Sequence, residues 1–163
     1  MTVTDEYLAN NEAYASTFNG PLPLPPSKHV AVVACMDARL DVYRVLGLAE
    51  GEAHVIRNAG GVITDDEIRS LAISQRLLGT KEIILIHHTD CGMLRFRDHE
   101  LKDAVEADTG IPPPFATEAF ASSLVADGAS FAAVLDAFGS FAGRPLEVDE
   151  AVFECERATG HRN

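Results

Sequence analysis

Residues 29–39 read His-Val-Ala-Val-Val-Ala-Cys-Met-Asp-Ala-Arg, which is the form of a buried strand that ends in polar residues. Residues 81–92 have the same form and read Lys-Glu-Ile-Ile-Leu-Ile-His-His-Thr-Asp-Cys-Gly. Each apolar run is short, rich in aliphatic residues and typical of a strand in a parallel sheet. Neighbouring parallel strands end at the same edge of a sheet, where α/β proteins form their sites. The sequence therefore predicts that these two polar ends meet.

The two ends carry residue types that bind transition metals. Cys35, Asp37, His88 and Cys91 offer two thiolates, an imidazole and a carboxylate, a donor set that suits tetrahedral zinc. The spacing of His88 and Cys91 lets one tight turn supply two ligands. Three protein ligands with an open position are typical of catalytic zinc, and four ligands are typical of structural zinc. Asp37 could take the fourth position, or it could pair with Arg39 and leave that position to water.

Taken singly, these residues have ordinary structural explanations. A cysteine at the end of a valine-rich strand is more often a small core residue, and a lone histidine is more often a satisfied polar residue. Their joint placement at two strand ends is what favours a metal site. We predict that His87 points to the face opposite His88 and that Cys155 is structural.

The order of the elements indicates an α/β fold, because strands alternate with helices in the pattern of a parallel sheet with right-handed crossovers. We predict one domain over residues 1–163, with a central, mostly parallel β-sheet of about four parallel strands, to which an edge strand can be added, flanked by helices. The strands are predicted at 29–35, 53–57, 82–87 and, as the edge strand, 147–156. The helices are predicted at 40–46, ending at Gly47, at 68–78, after an N-cap at Thr64, and at 98–108 and 117–140.

Residues 1–27 are predicted to form an N-terminal helical arm followed by a Pro-rich connector. Thr4 is a candidate N-cap for a helix in the first 20 residues. Four prolines within residues 21–26 require an extended chain after it. The sequence leaves two alternatives for the helix, which either packs on its own domain or reaches over a partner chain.

The charge and the cysteine count exclude several classes of partner and compartment. The chain has 25 acidic and 13 basic residues and a net charge of −12, which disfavours nucleic acid and anionic membranes as partners. No apolar stretch approaches the roughly 18 residues of a membrane span, and the acidic N-terminus does not resemble a signal peptide. Three cysteines, an odd count, fit a reducing compartment better than a disulfide framework. We therefore expect a cytoplasmic protein.

Three motifs in this order resemble the β-class carbonic anhydrases, in particular the compact actinobacterial-type branch of that family. They are Cys-Met-Asp-Ala-Arg at 35–39, Arg-Asn-Ala-Gly at 57–60 and His-Thr-Asp-Cys-Gly at 88–92. The resemblance implies that Cys35, His88 and Cys91 are zinc ligands. It also implies that Asp37 and Arg39 form a catalytic dyad, in which Asp37 either pairs with Arg39 or binds zinc in a closed state.

The resemblance further implies an activity, a substrate pocket and an assembly. The activity is the zinc-dependent reversible hydration of carbon dioxide to bicarbonate and a proton by a zinc-bound hydroxide. Two thiolates make the bound water less acidic than three imidazoles would, and a hydrogen bond accepted by Asp37 offsets this while Arg39 keeps that carboxylate ionised. The family is built as a homodimer or a dimer-based tetramer, with N-terminal helices laid over the partner. The residues implied to line the pocket are Asn58, Ala59, Gly60 and Gly92.

Two other functions fit the same residues. A carbonyl sulfide hydrolase would use the same zinc site, and the pocket walls would decide between the two substrates. A non-catalytic zinc-binding module would keep Asp37 fixed on the metal, but the intact pair of Asp37 and Arg39 argues against it, because a structural site does not need that arginine. The sequence leaves the proton-transfer residue open among His54, His87, His99 and Tyr43.

Overall fold

The computed structural model describes residues 2–18, 20–119 and 147–153. The strands are β1 (Val30–Cys35), β2 (Ala53–Asn58), β3 (Glu82–His88) and β4 (Glu147–Phe153). The helices are α1 (Val3–Thr17), α2 (Val42–Leu46), α3 (Asp65–Leu77) and α4 (Asp98–Thr109). The four strands form one sheet in the order β2-β1-β3-β4, and every neighbouring pair is parallel. The predicted α/β class is confirmed, and β4 is the edge strand expected near the C-terminus.

Strand β1 lies at the centre of the sheet, between β2 and β3, and its residues 31–35 are all buried. Side chains alternate between the two faces of a strand, so residues 31–34 of β1 enter two separate hydrophobic clusters in turn. One cluster includes Val42 of α2, and the other includes Leu71 of α3. Because both faces are covered, the run is continuously apolar instead of alternating with polar residues.

The capping residues explain where the central helices begin and end. Gly47 follows α2 with a left-handed φ of 64°, as predicted. Thr64 is the N-cap of α3, and its N–H donates to the carboxylate of Glu67 at 3.2 Å. Helix α2 begins at Val42, two residues later than predicted, because the Asp41 carboxylate accepts a backbone N–H of the first turn and so caps the helix.

The predicted N-cap of α1, Thr4, is wrong. Thr2 caps the helix: its Oγ1 accepts the Asp5 N–H at 3.2 Å, and the Asp5 carboxylate accepts the Thr2 N–H at 2.7 Å. This reciprocal capping box satisfies two backbone donors. The helix therefore begins two residues earlier, and Thr4 lies within its first turn.

Helix α1 is not buried against its own domain. None of its residues is buried, and Tyr7 and Leu8 are 65% and 59% exposed. A hydrogen bond between Tyr14 and Glu50, which raises the pKa of Tyr14, links the helix to the domain without burying it. Of the two alternatives that the sequence leaves for this helix, packing on its own domain is therefore excluded over the described residues.

Several predictions for the C-terminal part fall outside the described residues. Of the helix predicted at 117–140, only 117–119 are described, and they are not helical. The last residues of the strand predicted at 147–156, with Cys155, also lie outside. Among the helices that are described, none combines the length and the apolar character needed to cross a bilayer.

The packing of α3 on the sheet gives a stability prediction. Leu71 is fully buried in the cluster formed with β1 and β3, so Leu71→Ala should lower the free energy of unfolding by about 2–5 kcal/mol. Leu77 lies on the same helix and is 77% exposed, so Leu77→Ala should change it by less than about 0.5 kcal/mol. Urea unfolding followed by circular dichroism measures both. Equal losses in the two variants would show that α3 does not pack through Leu71.

Candidate metal centre

Three candidate ligands lie together at the carboxyl edge of the sheet. Cys35 is the last residue of β1, His88 is the last residue of the neighbouring β3, and Cys91 follows in the next turn. The two Sγ atoms are 3.8 Å apart, and all three potential ligand atoms lie within 4.8 Å of one another. All three residues are buried. The parallel pairing of β1 and β3 thus places two thiols and an imidazole around one point.

The orientation of His88 leaves a buried nitrogen with no protein partner. Its Nδ1 lies 2.9 Å from the carbonyl of Thr89, and because a carbonyl only accepts, Nδ1 carries the proton. Nε2 is then a lone-pair acceptor, and it makes no hydrogen bond to any part of the chain that the structure describes. An unsatisfied buried acceptor is costly, and a metal cation at this point would satisfy it. A metal-binding histidine ordinarily donates its other N–H to such a carbonyl.

The electrostatic environment of the thiols also fits a cation. Burial raises the pKa of the Cys91 thiol, and the neighbouring Cys35 and Asp37 raise it further, against a backbone hydrogen bond from Met93 that lowers it. Two adjacent thiolates in this position therefore need a positive charge to balance them. A divalent cation supplies that charge and deprotonates the thiols that bind it. The residues present thus fit a metal ion with a soft, tetrahedral preference.

Asp37 lies beside this group and is held by Arg39. Its Oδ1 accepts the Arg39 backbone N–H at 2.9 Å and Nε–H at 3.0 Å, and its Oδ2 accepts Nη2–H at 2.8 Å. These hydrogen bonds, the side-chain ones first, hold the pKa of Asp37 far below its usual range. Oδ2 also lies 3.8 Å from Nε2 of His88, too far for a hydrogen bond. The structure therefore has Asp37 ionised, paired with Arg39 and adjacent to the candidate ligands.

Arg57 opens the Arg-Asn-Ala-Gly motif at 57–60 and fixes the loop that carries Cys35 and Asp37, a role that the sequence did not predict. Its Nε and Nη2 donate to the carbonyl of Cys35 at 2.9 and 2.7 Å, and Nη2 also donates to the carbonyl of Asp37 at 2.7 Å. The one feature of the sequence that could have indicated this role is the position of Arg57, one residue before the end of β2 and beside the end of β1. A backbone role of this kind leaves no spacing pattern in a sequence.

A second group of charges missed from the sequence surrounds Asp90. Its Oδ2 accepts Nη1–H of Arg39 at 3.0 Å, its backbone carbonyl accepts Nη2–H of Arg39 at 3.0 Å, and its Oδ1 accepts an N–H of Arg95. The side chains of Arg95 and Arg39, in that order, lower the pKa of Asp90. Because Asp90 lies between His88 and Cys91, this group joins the two loops that carry the candidate ligands.

The residues that the family resemblance implies line a substrate pocket all border one cleft, which lies beside the candidate ligands Cys35 and Cys91. The cleft has a volume of about 590 Å³ and contains Asn58, Ala59, Gly60 and Gly92 together with Cys35, Asp37 and Cys91. Its walls are largely apolar and include Met93, Phe96, Leu101 and Phe115. His88 and Arg39 are not among the residues that line the cleft.

The turn after β2 is shaped by its own hydrogen bonds. Asn58 exchanges two hydrogen bonds with the backbone of Val62, at 2.7 and 3.0 Å, so its side chain braces the turn. Gly60 has a φ of 89°, a conformation that favours glycine. Its carbonyl lies 3.0 Å from Nδ1 of His87, which therefore contacts this turn while His88 faces the thiols. Asn58, Ala59, Gly60 and Val62 of this turn all line the cleft.

The proposed proton-transfer residues do not reach the cleft. Among the described residues, none of the four candidates borders it. His54 Nδ1 lies 2.7 Å from Ser74 Oγ against α3, and His99 and Tyr43 are exposed elsewhere. The described carboxylates that do border the cleft, besides Asp37, are Glu67 and Glu118.

Comparison with known proteins relates this chain to carbonic anhydrases. A family model described as carbonic anhydrase matches residues 30–111. The protein named β-carbonic anhydrase 1 of Mycobacterium tuberculosis H37Rv is 72% identical over 120 residues, which cover 74% of each chain. The crystal structure of a carbonic anhydrase from Streptococcus mutans superposes with a TM-score of 0.83 at 36% identity, over 99% of this chain and 96% of that one.

A relative with a different named activity matches a shorter part of the chain. The carbon disulfide hydrolase of Acidianus sp. strain A1-3 is 47% identical over 78 residues, which are 48% of this chain and 38% of that protein. The carbonic anhydrase matches are longer and, for the mycobacterial protein, much closer. By its family match and its identity over three quarters of its length, this chain belongs to the β-class carbonic anhydrase family.

Proposed function

We propose that this protein catalyses the reversible hydration of carbon dioxide to bicarbonate and a proton, with a zinc ion held by Cys35, His88 and Cys91. The observation that carries the proposal is the buried group of two thiols and an unpartnered imidazole nitrogen, all within 4.8 Å. An ionised carboxylate, Asp37, stands next to that group, and an apolar cleft opens on it. Family membership supports the same reaction.

Zinc is the metal that this donor set favours. Two sulfur ligands and one imidazole select zinc over magnesium, calcium or manganese, which prefer oxygen ligands. Three protein ligands are also the number that catalytic zinc sites have, whereas structural zinc sites have four. A zinc ion held by these three residues would supply Lewis-acid chemistry, which lowers the pKa of a bound water to about 7.

Asp37 orients the nucleophile in this proposal. Because Arg39 keeps its carboxylate ionised, Asp37 can only accept hydrogen bonds, and it would accept one from the O–H of the attacking oxygen. Such a hydrogen bond would turn a lone pair of that oxygen towards a substrate in the cleft, which Asp37 borders. The carbonyl of Thr89 accepts the Nδ1–H of His88 and so holds the ring in the orientation that leaves Nε2 as the acceptor for a metal ion.

The cleft suits a small uncharged substrate. Backbone at Gly60 and Gly92 borders the position next to the metal group, and apolar side chains form the wider walls. Carbon dioxide enters such a space without losing hydrogen bonds to water. Bicarbonate is an anion, and an apolar wall with an ionised Asp37 beside it favours its release.

We also propose that the protein acts in the cytoplasm as a homodimer or a dimer-based tetramer. The exposed helix α1 supports this assembly, since its apolar residues Tyr7 and Leu8 have no cover within the described part of the chain. A second copy of the chain would cover them.

Loss of one thiol should remove the metal. We expect Cys91→Ala to lose both bound zinc and carbon dioxide hydration, because two ligands in an otherwise apolar pocket bind zinc weakly. Elemental analysis of zinc per chain after dialysis, beside a stopped-flow hydration assay, measures both. Cys155→Ala is the matched control, since we predict that this cysteine takes no part in the site. Stoichiometric zinc in Cys91→Ala would contradict the ligand assignment.

Replacing the acid should separate metal binding from turnover. Asp37→Asn keeps the size of the side chain but lets it donate a hydrogen bond, so we expect zinc to stay and kcat to fall about 10–100-fold. The same two measurements apply. The control is Asp66→Asn, which removes an exposed carboxylate that pairs with Arg69 on α3. Unchanged turnover in Asp37→Asn would remove this residue from the mechanism.

The substrate itself is tested against its sulfur analogues, because a carbon disulfide hydrolase is among the relatives. On zinc-loaded protein we expect fast hydration of carbon dioxide and little sulfide release from carbonyl sulfide or carbon disulfide. Stopped-flow pH-indicator traces and a colorimetric sulfide assay measure the two outcomes. Strong sulfide release with weak hydration would assign the protein to the sulfur substrates, and silence in both assays with zinc bound would leave it a non-catalytic zinc module.

A further inference from the structure

Asp90 makes more contacts with the catalytic dyad than its position in a turn requires. It has a left-handed φ of 53°, between the candidate ligands His88 and Cys91. In this conformation its carboxylate and its backbone carbonyl both accept from the Arg39 guanidinium, each at 3.0 Å. The second carboxylate oxygen accepts from Arg95. Asp90 therefore joins the side chain of Arg39 to the loop that carries two of the candidate ligands.

Arg39 is consequently held along two edges. One edge, formed by Nε and Nη2, meets both oxygens of Asp37 at 3.0 and 2.8 Å, and the other meets Asp90. A guanidinium is a rigid planar fork, so fixing one of its edges sets the direction of the other. The charges alternate in sign along the series Asp37, Arg39, Asp90 and Arg95, so that each charged group contacts groups of the opposite sign.

We propose that Asp90 is a positioning residue for the hydration reaction: by holding Arg39, it keeps the Asp37 carboxylate directed at the nucleophile and away from the metal position. This inference rests on the proposed function for the meaning of the dyad. It goes beyond that function, because it assigns the orientation of the dyad to a carboxylate on the opposite ligand loop.

The exposure of the charged side chains shows why the contact of Arg39 with Asp90, in addition to that with Asp37, matters. The side chain of Arg39 is 53% exposed and that of Asp90 is 49% exposed. Ion pairs so exposed add little to stability, and a half-exposed arginine has many rotamers available to it. The two contacts from Asp90 restrict those rotamers. We therefore expect them to affect the orientation of the Asp37 carboxylate more than the free energy of unfolding.

The variant Asp90→Asn isolates this role. Asparagine has the same shape, adopts left-handed φ as readily as aspartate does, and keeps the contact from the backbone carbonyl. We expect zinc content and the unfolding midpoint to stay near those of the parent, while kcat for hydration falls about tenfold with little change in KM. Asp66→Asn breaks another exposed Asp–Arg pair, Asp66 with Arg69 at 2.8 Å, and should leave kcat unchanged. A kcat in Asp90→Asn equal to that of the control would overturn the proposal.

A double-mutant cycle shows whether Asp90 acts through Arg39. If it does, adding Asp90→Asn to Arg39→Ala should change kcat by less than about twofold, because residues that share one interaction are not additive. If the double variant loses the product of the two single losses, Asp90 acts by another route and the proposal is wrong.

A measurement that needs neither metal nor turnover separates this inference from the proposed function. The Arg39 Nε–H donates to Asp37, so its ¹⁵N NMR signal, identified by its loss in Arg39→Ala, reports how firmly the guanidinium is held. We expect its exchange with solvent to speed up about threefold or more in Asp90→Asn and not in Asp66→Asn. An unchanged exchange rate in Asp90→Asn would show that Asp90 does not hold Arg39, and it would refute this inference. A parent protein that binds zinc without hydrating carbon dioxide would refute the proposed function alone.

Discussion

The parallel pairing of β1 with β3 is the constraint on which the rest of the site depends. It aligns the ends of two strands at one edge of the sheet, so that the last residue of one, Cys35, meets the last residue of the other, His88. The turn after β3 then brings Cys91 to the same point. A shift of one residue in this register would turn His88 to the other face of the sheet.

Around that point, the protein places groups that are costly unless a cation is present. Burial raises the pKa of the Cys91 thiol, and Nε2 of His88 has no partner among the described residues. The neighbouring charged residues, by contrast, already have partners. Asp37 pairs with Arg39, and Arg39 also donates a hydrogen bond to Asp90. A buried group of residues that fits a metal ion thus lies beside a partly exposed group of paired charges. The proposed hydration chemistry uses both, one to hold zinc and the other to orient the nucleophile.

The N-terminal helix shows how far local sequence reasoning reaches. The existence of α1 could be predicted from its composition, but Thr2 and not Thr4 caps it, because the Asp5 carboxylate closes a capping box with Thr2. Whether the helix packs on its own domain depends on where the extended connector directs it, and local patterns do not contain that direction. Its full exposure supports the proposed contact with a second copy of the chain.

The sequence by itself determined the α/β class, the strands that carry the site and the types of donor at their ends. Those features follow from local composition: apolar runs of strand length, glycine and threonine at helix ends, and cysteine and histidine at the ends of the strands. Only the tertiary structure decided that Arg57 holds the carbonyls of Cys35 and Asp37, and that Asp90 meets Arg39 across 51 positions of the chain. Arginine reaches such partners through a long side chain of many rotamers, so its contacts depend on the final positions of the backbone and leave no periodic mark in the sequence.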